Sequence, residues 1–169
     1  SFDELNMDVE GQEIILPGNY YKLYVGRTTA SASKGVFVVD TVKLIPLVGK
    51  YQLGKMIGKQ VDWFAASVDR IFISGVDLQA ALKRMEVGVK SIDISGVHFV
   101  NFRDKNIPFD YSNRPKIPSQ SIKSIPIPVK VDTIKVSNSY VRYEEHAVGA
   151  KTAGTIALEN LSVVATGFT

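Results

Sequence analysis

The sequence predicts a mainly β protein: a repetitive, curved, mostly antiparallel sheet, forming an open groove or half-barrel, with one or two short helices. Three observations support this fold class. The 169 residues include 21 Val and 15 Ile but only 10 Leu, and β-branched side chains favour extended backbone. Several short stretches alternate apolar and polar residues and end in a turn former. One such stretch recurs along the chain.

The composition excludes several classes of protein. With 45% hydrophobic and 22% charged residues, the chain is neither disordered nor collagen-like. The lack of cysteine excludes a disulfide scaffold and a thiolate zinc site. The net charge of +3 is scattered, so we expect no nucleic-acid partner. No stretch is long and apolar enough to span a bilayer, and because the chain begins at Ser1 rather than Met, we interpret it as one segment of a longer repeat protein.

The internal repeat is the most informative feature. Units that begin at Val68, Val89 and Val131 share an apolar residue, a polar pair, two β-branched residues separated by one position, and Ser followed by Gly or Asn. By subtraction, these starts are 21 and 42 positions apart. Related stretches begin at Val39 and lie at residues 156–160. Since one strand cannot bury its apolar side alone, repeated strands predict one continuous sheet face.

Four parts follow in order along the single β-rich segment 1–169. Residues 1–50 are predicted to hold N-terminal strands, at 13–16, 20–27 and 36–45, with a small polar stretch at 28–35 between the last two. Residues 51–106 form a strand–helix–strand unit. Its best helix candidate is capped by Asp77 and ended by Gly88, and a weaker candidate lies around Leu53, Met56 and Ile57. The helix candidate between Asp77 and Gly88 has one apolar stripe, which consists of Leu78, Ala81, Leu82 and Met85.

Residues 107–128 form the third part, a proline-rich crossing segment that contains five of the seven prolines. Proline removes a ladder donor and biases its predecessor toward extended backbone, so we expect a long connection, with one turn of helix near 119–124. Residues 129–169 are predicted to hold the C-terminal strands, including 140–144, 154–160 and 161–165.

No motif indicates catalysis, a metal site or a cofactor, so no catalytic, metal-ligating or cofactor-binding residue is assigned. His98 lies in an alternating strand, and His146 lies at an expected hairpin tip. Asp40, Asp69 and Asp132 share a repeat position, which predicts solvated carboxylates spread along a sheet. Three consecutive charged residues, 103–105, are expected to make surface or local ion pairs of little energetic value, and the alternative is contact with a lipid headgroup or a partner.

The apolar side of the repeated strands is the remaining candidate site. Either it is a closed core, or it is an open, elongated groove that can hold lipid acyl chains, which need apolar walls and no catalytic group. The residues expected on this side are Ile71, Ile73, Ile92, Ile94, Ile134, Val136, Ile156 and Leu158.

Seven segments together resemble AsmA-like (TamB-related) bacterial envelope proteins, over about residues 36–165. These segments are Asp62-Trp63-Phe64, 68–77, 92–94, 102–105, 126–134, Tyr143-Glu144-Glu145 and 154–161. The resemblance implies a long, mostly β periplasmic body, open on one side. It also implies an inner-membrane tether outside this segment and a role in outer-membrane homeostasis, as a bridge for phospholipid movement. It supplies no catalytic residue.

Two other functions stay open at this point. The first is an interaction or scaffold module of the cell envelope that pairs with other envelope proteins through exposed strand edges. The second is an enzyme that acts on envelope glycans through paired carboxylates, which would require a cleft with two acidic groups about 5–10 Å apart.

Overall fold

The computed structural model describes residues 6–77, 86–112 and 129–168. Within these ranges, ten strands form one curved, largely antiparallel sheet, against which a single helix packs. The mainly β fold predicted from the sequence is therefore confirmed. The elements are β1 Asn6–Val9, β2 Gln12–Ile15, β3 Tyr21–Val25, β4 Thr28–Ser31, β5 Val36–Pro46, α1 Lys50–Ile57, β6 Asp62–Ser74, β7 Val87–Ser95, β8 His98–Asp104, β9 Val129–His146 and β10 Gly154–Phe168.

These ten strands follow seven lines across the sheet. β7 and β8 lie end to end beside β6, because Arg70 faces Ser95 and, three residues along each strand, Ser67 faces His98. In the same way, β3 and β4 lie end to end beside β5, and β1 and β2 lie end to end beside them. The order of the lines is β1/β2, β3/β4, β5, β6, β7/β8, β9, β10. The sheet therefore has two halves, which we call the β7 half and the β8 half.

The two halves meet along a row of left-handed residues, which we call the bend line. Thr41 in β5, Gly96 between β7 and β8, Asn138 in β9 and Asn160 in β10 have φ between 51° and 68°. The strand registers bring these residues to the same level of the sheet, with Asp69 of β6 between Thr41 and Gly96. Positive φ is uncommon outside glycine and is an outlier for a β-branched residue. Positive φ recurs at the same level on β5, between β7 and β8, on β9 and on β10, and we take this level as the place where the sheet bends.

The pattern of apolar residues changes phase at the bend line. On β5, Phe37 and Val39 precede the bend and Val42 and Leu44 follow it, so the step across the bend is three residues instead of two. The same step occurs on β6, from Val68 to Ile71, and on β10, from Leu158 to Leu161, whereas on β9 the residue three positions after Val136 is Ser139. We infer that the alternation of side chains restarts at this step, so that the apolar residues of both halves share one side of the sheet. On β6 the step occurs at Asp69 without a positive φ.

The repeat units at Val89 and Val131 become neighbouring parallel strands. Ile92 pairs with Ile134 and Ile94 with Val136, so the spacing of 42 positions is the register of the β7–β9 ladder. β8 also runs parallel to β9. Parallel neighbours require a crossover, and the predicted crossing segment joins the end of β8 to the distant start of β9. Its residues 113–128 lie outside the described residues.

Helix α1 packs on the β8 half. Among the described residues of this half, the most deeply buried apolar side chains lie between the helix and the sheet. The ring of Tyr51 meets the ring of Phe102 edge-on at 4.7 Å, and Phe102 is only 1% exposed. Gly54 lets the helix approach residue 107, because a Cβ at this position would overlap the side chain of Ile107. The weaker helix candidate is therefore confirmed, and close packing against Ile107 explains why position 54 is glycine.

One sequence prediction is wrong, one strand was not predicted, and one helix candidate falls outside the described residues. The stretch 28–35 was predicted to be a polar separator, but it contains β4, whose Thr and Ser residues pair with the first half of β5. β1 was not predicted, because four exposed residues carry no burial pattern. The helix candidate that begins at Asp77 falls on residues 78–85, outside the described residues.

Candidate functional site: an apolar sheet face and a charged row

The structure places the eight predicted apolar residues in two groups. Six of them lie in the β7 half and form two adjacent rows across β6, β7 and β9. One row is Ile71, Ile94 and Val136, and the other is Ile73, Ile92 and Ile134. The remaining two residues, Ile156 and Leu158, lie on β10 in the β8 half, opposite Tyr143 and Val141.

Both groups belong to a larger surface, which we call the apolar face. In the β7 half, the two rows extend to β5 on one side and to β10 on the other. In the β8 half, one row runs from β3 to β10. The phase change at the bend line joins the rows of the two halves on one side of the sheet. The residues added in this way are Phe37, Val39, Val163, Ala165, Leu23, Leu44, Ala66, Phe99 and Val141.

The apolar face is accessible to solvent. Ile156 is 69% exposed and Leu158 is 53% exposed, and the other six predicted residues are half-buried. A sealed core that contains all eight is therefore excluded. Helix α1 covers the opposite side of the β8 half, where Phe102 and Val100 point. Large apolar patches on a protein surface usually mark a binding surface.

The opposite side of the β7 half is mixed, because charged pairs lie there beside Val38, Phe72 and Val164. Arg70 lies 3.6 Å from Asp40, and Lys135 lies 3.9 Å from Asp93, in both cases between neighbouring strands. Such exposed pairs contribute little to stability. They do, however, place charge on this side of the β7 half, whereas the two rows on the other side are apolar.

A row of charged residues bounds the apolar face at the outer end of the β8 half. Arg103 donates two hydrogen bonds to Asp62, at 2.7 and 2.6 Å. The next strand contributes Glu145, which accepts from Tyr143 at 2.5 Å and pairs with Lys105 at 2.8 Å. Hydrogen bonds from Lys105 and Tyr143 lower the pKa of Glu145, whereas burial and the bond to Glu145 raise the pKa of Tyr143. We call this set the charged row.

A cavity of about 290 Å³ lies beside the charged row. Phe64 and Phe109 form part of its wall, and Lys59 pairs with Asp110 across 3.0 Å. Hydrogen bonds from Ser112 and then from Lys59 lower the pKa of Asp110 to about 2. The cations here are paired with carboxylates, so the cavity offers mixed polar and aromatic surface without a strong net charge.

The charged run 103–105 was predicted to make surface or local ion pairs, and a surface position is wrong for Asp104. Its side chain is buried, with the residue 7% exposed. Burial acts to raise its pKa, but hydrogen bonds from Asn106 and the nearby His146 outweigh burial, so the pKa is lowered. Asn106 donates to Asp104 from its backbone at 3.0 Å and from its side chain at 2.9 Å. Asn106 also donates to the carbonyl of Ala147 at 3.3 Å and accepts from the backbone of Gly149 at 3.2 Å, which fastens the β9–β10 hairpin to the end of β8.

The other candidate residues are dispersed. Asp40 lies on the side opposite the apolar face, Asp69 lies on the bend line, and Asp132 is exposed on β9. His98 stacks on Tyr140, with ring centroids 4.8 Å apart. In residues 6–77, 86–112 and 129–168, no three metal-ligating side chains come together.

One buried carboxylate was not predicted from the sequence. Glu144 is 5% exposed and pairs with Lys50 of α1 and with Arg142. The ammonium of Lys50 also lies 5.0 Å from the centroid of the Phe102 ring. The sequence does contain a signal for it, the double glutamate at 144–145. Neighbouring residues of a strand point to opposite sides of the sheet, so one of the two carboxylates must lie on the side that the helix covers.

The described part of the chain contains no helix with the length and hydropathy needed to cross a membrane. Comparison with protein-family models, with curated proteins and with solved structures finds no match for this chain.

Proposed function

We propose that this chain is a non-enzymatic segment that holds lipid acyl chains along the apolar face. We further propose that it belongs to a periplasmic, AsmA-like protein tethered to the inner membrane outside this segment, and that it supports phospholipid transport and outer-membrane homeostasis. The observation that carries the proposal is the apolar face itself, which crosses both halves of a bent sheet and exposes Ile156, Leu158 and Val163.

The dimensions of the apolar face suit an acyl chain. From Val39 on β5 to Val163 on β10, a row crosses four strand-to-strand spacings, or about 19 Å at about 4.8 Å each. The hydrocarbon layer of one membrane leaflet is about 15 Å thick. Each methylene group removed from water contributes about 0.8 kcal/mol, so a chain laid along one row binds without any specific polar contact.

A titration with a fluorescent fatty acid tests this proposal. Replacing Leu158 by Lys places a charge on the apolar face at a position that is 53% exposed, so the fold tolerates the change. We expect the dissociation constant to rise about tenfold, which corresponds to about 1.4 kcal/mol. The matched control is Val164→Lys, which lies on the same strand, is 66% exposed and lies on the other side of the sheet, in the row of Asp93 and Lys135.

The control should bind the fatty acid like the unmodified chain. Equal weakening by both substitutions, or no saturable binding by the unmodified chain, would contradict the proposal. Circular dichroism of each variant establishes that the sheet is retained, so a loss of binding reflects the changed surface.

The alternative function, an envelope interaction module that pairs through strand edges, is favoured by one observation. Among the described residues, the 15-residue strand β10 pairs with β9 alone, and most of its residues are exposed. Main-chain hydrogen bonds along a strand edge can bind another strand.

A further inference from the structure

The cavity beside the charged row is continuous with the apolar face. Phe64, which forms part of the cavity wall, lies two positions before Ala66 on β6, so the two side chains share one side of the sheet about 7 Å apart. The centroid of the Phe64 ring also lies 5.8 Å from that of Phe99. Ala66 and Phe99 both belong to the apolar face, so a ligand whose acyl chain lies on this face can reach the cavity with its polar end.

A backbone hydrogen bond positions the two connections that form this cavity. The amide of Gln60 donates to the carbonyl of Pro108 at 2.7 Å, which holds the connection after β8 against the residues before β6. Phe109 and Asp110 thereby line the same cavity as Phe64. The cavity volume of about 290 Å³ lies at the lower end of the range for ligand pockets, about 300–1,000 Å³, so it suits the headgroup of a lipid rather than a whole lipid.

The charged lining of the cavity contains both signs in equal number. Among the described residues, two cations and two carboxylates line it: Lys59, Arg103, Asp62 and Asp110. Arg103 bonds to Asp62 through Nε and Nη2, and a guanidinium has five N–H donors, so the donors on Nη1 remain for a ligand. The pair of Lys59 with Asp110 is partly exposed, and such a pair contributes little to stability, so both groups can bind a ligand at small cost.

We propose that this cavity binds the zwitterionic headgroup of a phospholipid, in which a phosphate is linked to a primary ammonium group. Because the acyl chains of this lipid lie on the apolar face, the site rests on the function proposed above. The phosphate accepts hydrogen bonds from Lys59 and from Nη1 of Arg103, which are charge-assisted and therefore strong. The ammonium group donates to Asp110 and lies against the rings of Phe64 and Phe109, whose π faces attract cations.

An anionic headgroup fits the same cavity less well. Hydrogen bonds from Ser112 and then from Lys59 lower the pKa of Asp110 to about 2, so this carboxylate is charged at neutral pH. A phosphate that recruits Lys59 takes away the cationic partner of Asp110, and only a ligand that carries its own ammonium group replaces that partner. A headgroup without an ammonium group leaves the carboxylate unpaired beside a second negative charge.

Two short-chain lipids that differ only in their headgroup test this site. Dihexanoyl-phosphatidylethanolamine is zwitterionic and dihexanoyl-phosphatidylglycerol is anionic, and each is titrated calorimetrically into the full chain below its micellar concentration. We expect the ethanolamine lipid to bind about fivefold more tightly. Asp110→Asn should lower this preference to about twofold or less, while the fluorescent fatty acid binds this variant as it binds the unmodified chain. The matched control is Asp132→Asn, which changes an exposed carboxylate on β9 and should keep the full preference.

Two probes without acyl chains separate the headgroup site from acyl-chain binding. Glycerophosphoethanolamine should compete with the ethanolamine lipid, and inorganic phosphate should compete about threefold less well, because it lacks the ammonium group. Equal affinity for the two lipids, the same preference after Asp110→Asn, or equal competition by inorganic phosphate would overturn the headgroup site. Fatty-acid binding under any of these outcomes leaves the acyl-chain function intact, whereas binding of glycerophosphoethanolamine without binding of fatty acid supports the headgroup site and overturns the acyl-chain function.

Discussion

The bend line can be tested by placing a side chain on Gly96. This residue has φ +66°, and a Cβ there would overlap the Cβ and carboxylate of Asp69 on the neighbouring strand. The left-handed conformation costs an L-residue about 1–2 kcal/mol, and overpacking costs about 1–3 kcal/mol. Lower entropy of the unfolded chain offsets about 0.4–1 kcal/mol. We therefore expect Gly96→Ala to lower the free energy of unfolding by about 2–4 kcal/mol, measured by urea denaturation.

The matched control is Gly149→Ala. Gly149 has φ +75°, but no atom lies within 4 Å of the added Cβ, so only the conformational cost remains, about 1 kcal/mol. Adding Asp69→Gly to the Gly96→Ala variant should recover part of the difference, because it removes the overlapping atoms. Equal losses for Gly96→Ala and Gly149→Ala, or no recovery in the double variant, would refute the packing assigned to the bend line.

Three further predictions concern stability, each measured by urea denaturation. Thr41→Asn should raise the free energy of unfolding by about 0.5–1 kcal/mol, since Asn tolerates the left-handed region better than a β-branched residue; the same change at Thr133, within regular strand, should lower it. Asp104→Asn should cost about 1–3 kcal/mol at pH 7 by disturbing a buried acceptor. Because the folded-state pKa of Asp104 is lowered from 3.8, its contribution to stability is present above about pH 4 and is lost as the pH falls further. The Asp104→Asn variant should therefore lose less stability than the unmodified chain on acidification. The control Asp132→Asn, at an exposed site, should leave the dependence of stability on pH unchanged. Phe102→Ala should cost about 3–5 kcal/mol, whereas Phe109→Ala, at a position 48% exposed, should cost less than half as much.

The strands could be predicted from the sequence because alternation records burial on one side of a sheet. The spacing of 42 positions between two repeat units equals the register of the parallel β7–β9 pair, in which Ile92 pairs with Ile134. β4 could not be predicted in this way, because its residues Thr28–Ser31 are small or polar and lack a strong alternation. Its strand conformation comes from pairing with β5, which is a tertiary effect.

The bend line and the charged row were harder to predict. Asn138 and Asn160 were interpreted as ends of strands, since Asn commonly terminates them. The structure instead continues each strand through its left-handed residue. The signal was the three-residue step between apolar positions, as from Leu158 to Leu161, but that step indicates a bend only when neighbouring strands carry it at the same level. The partners of Arg103 depend on the sheet register and cannot be read from sequence spacing.

A cysteine scan along β10 tests the central claim most directly, because the native chain has no cysteine to interfere. Each residue from 155 to 166 is replaced in turn, and the rate of maleimide labelling is measured with and without fatty acid. We predict protection at 156, 158, 161, 163 and 165 but not at 155, 157, 162, 164 and 166, so that the protected positions change from even to odd across Asn160. Protection that keeps one parity along the whole strand, or that follows exposure alone and so favours Val164 over Val163, would contradict a single apolar face that continues through the bend.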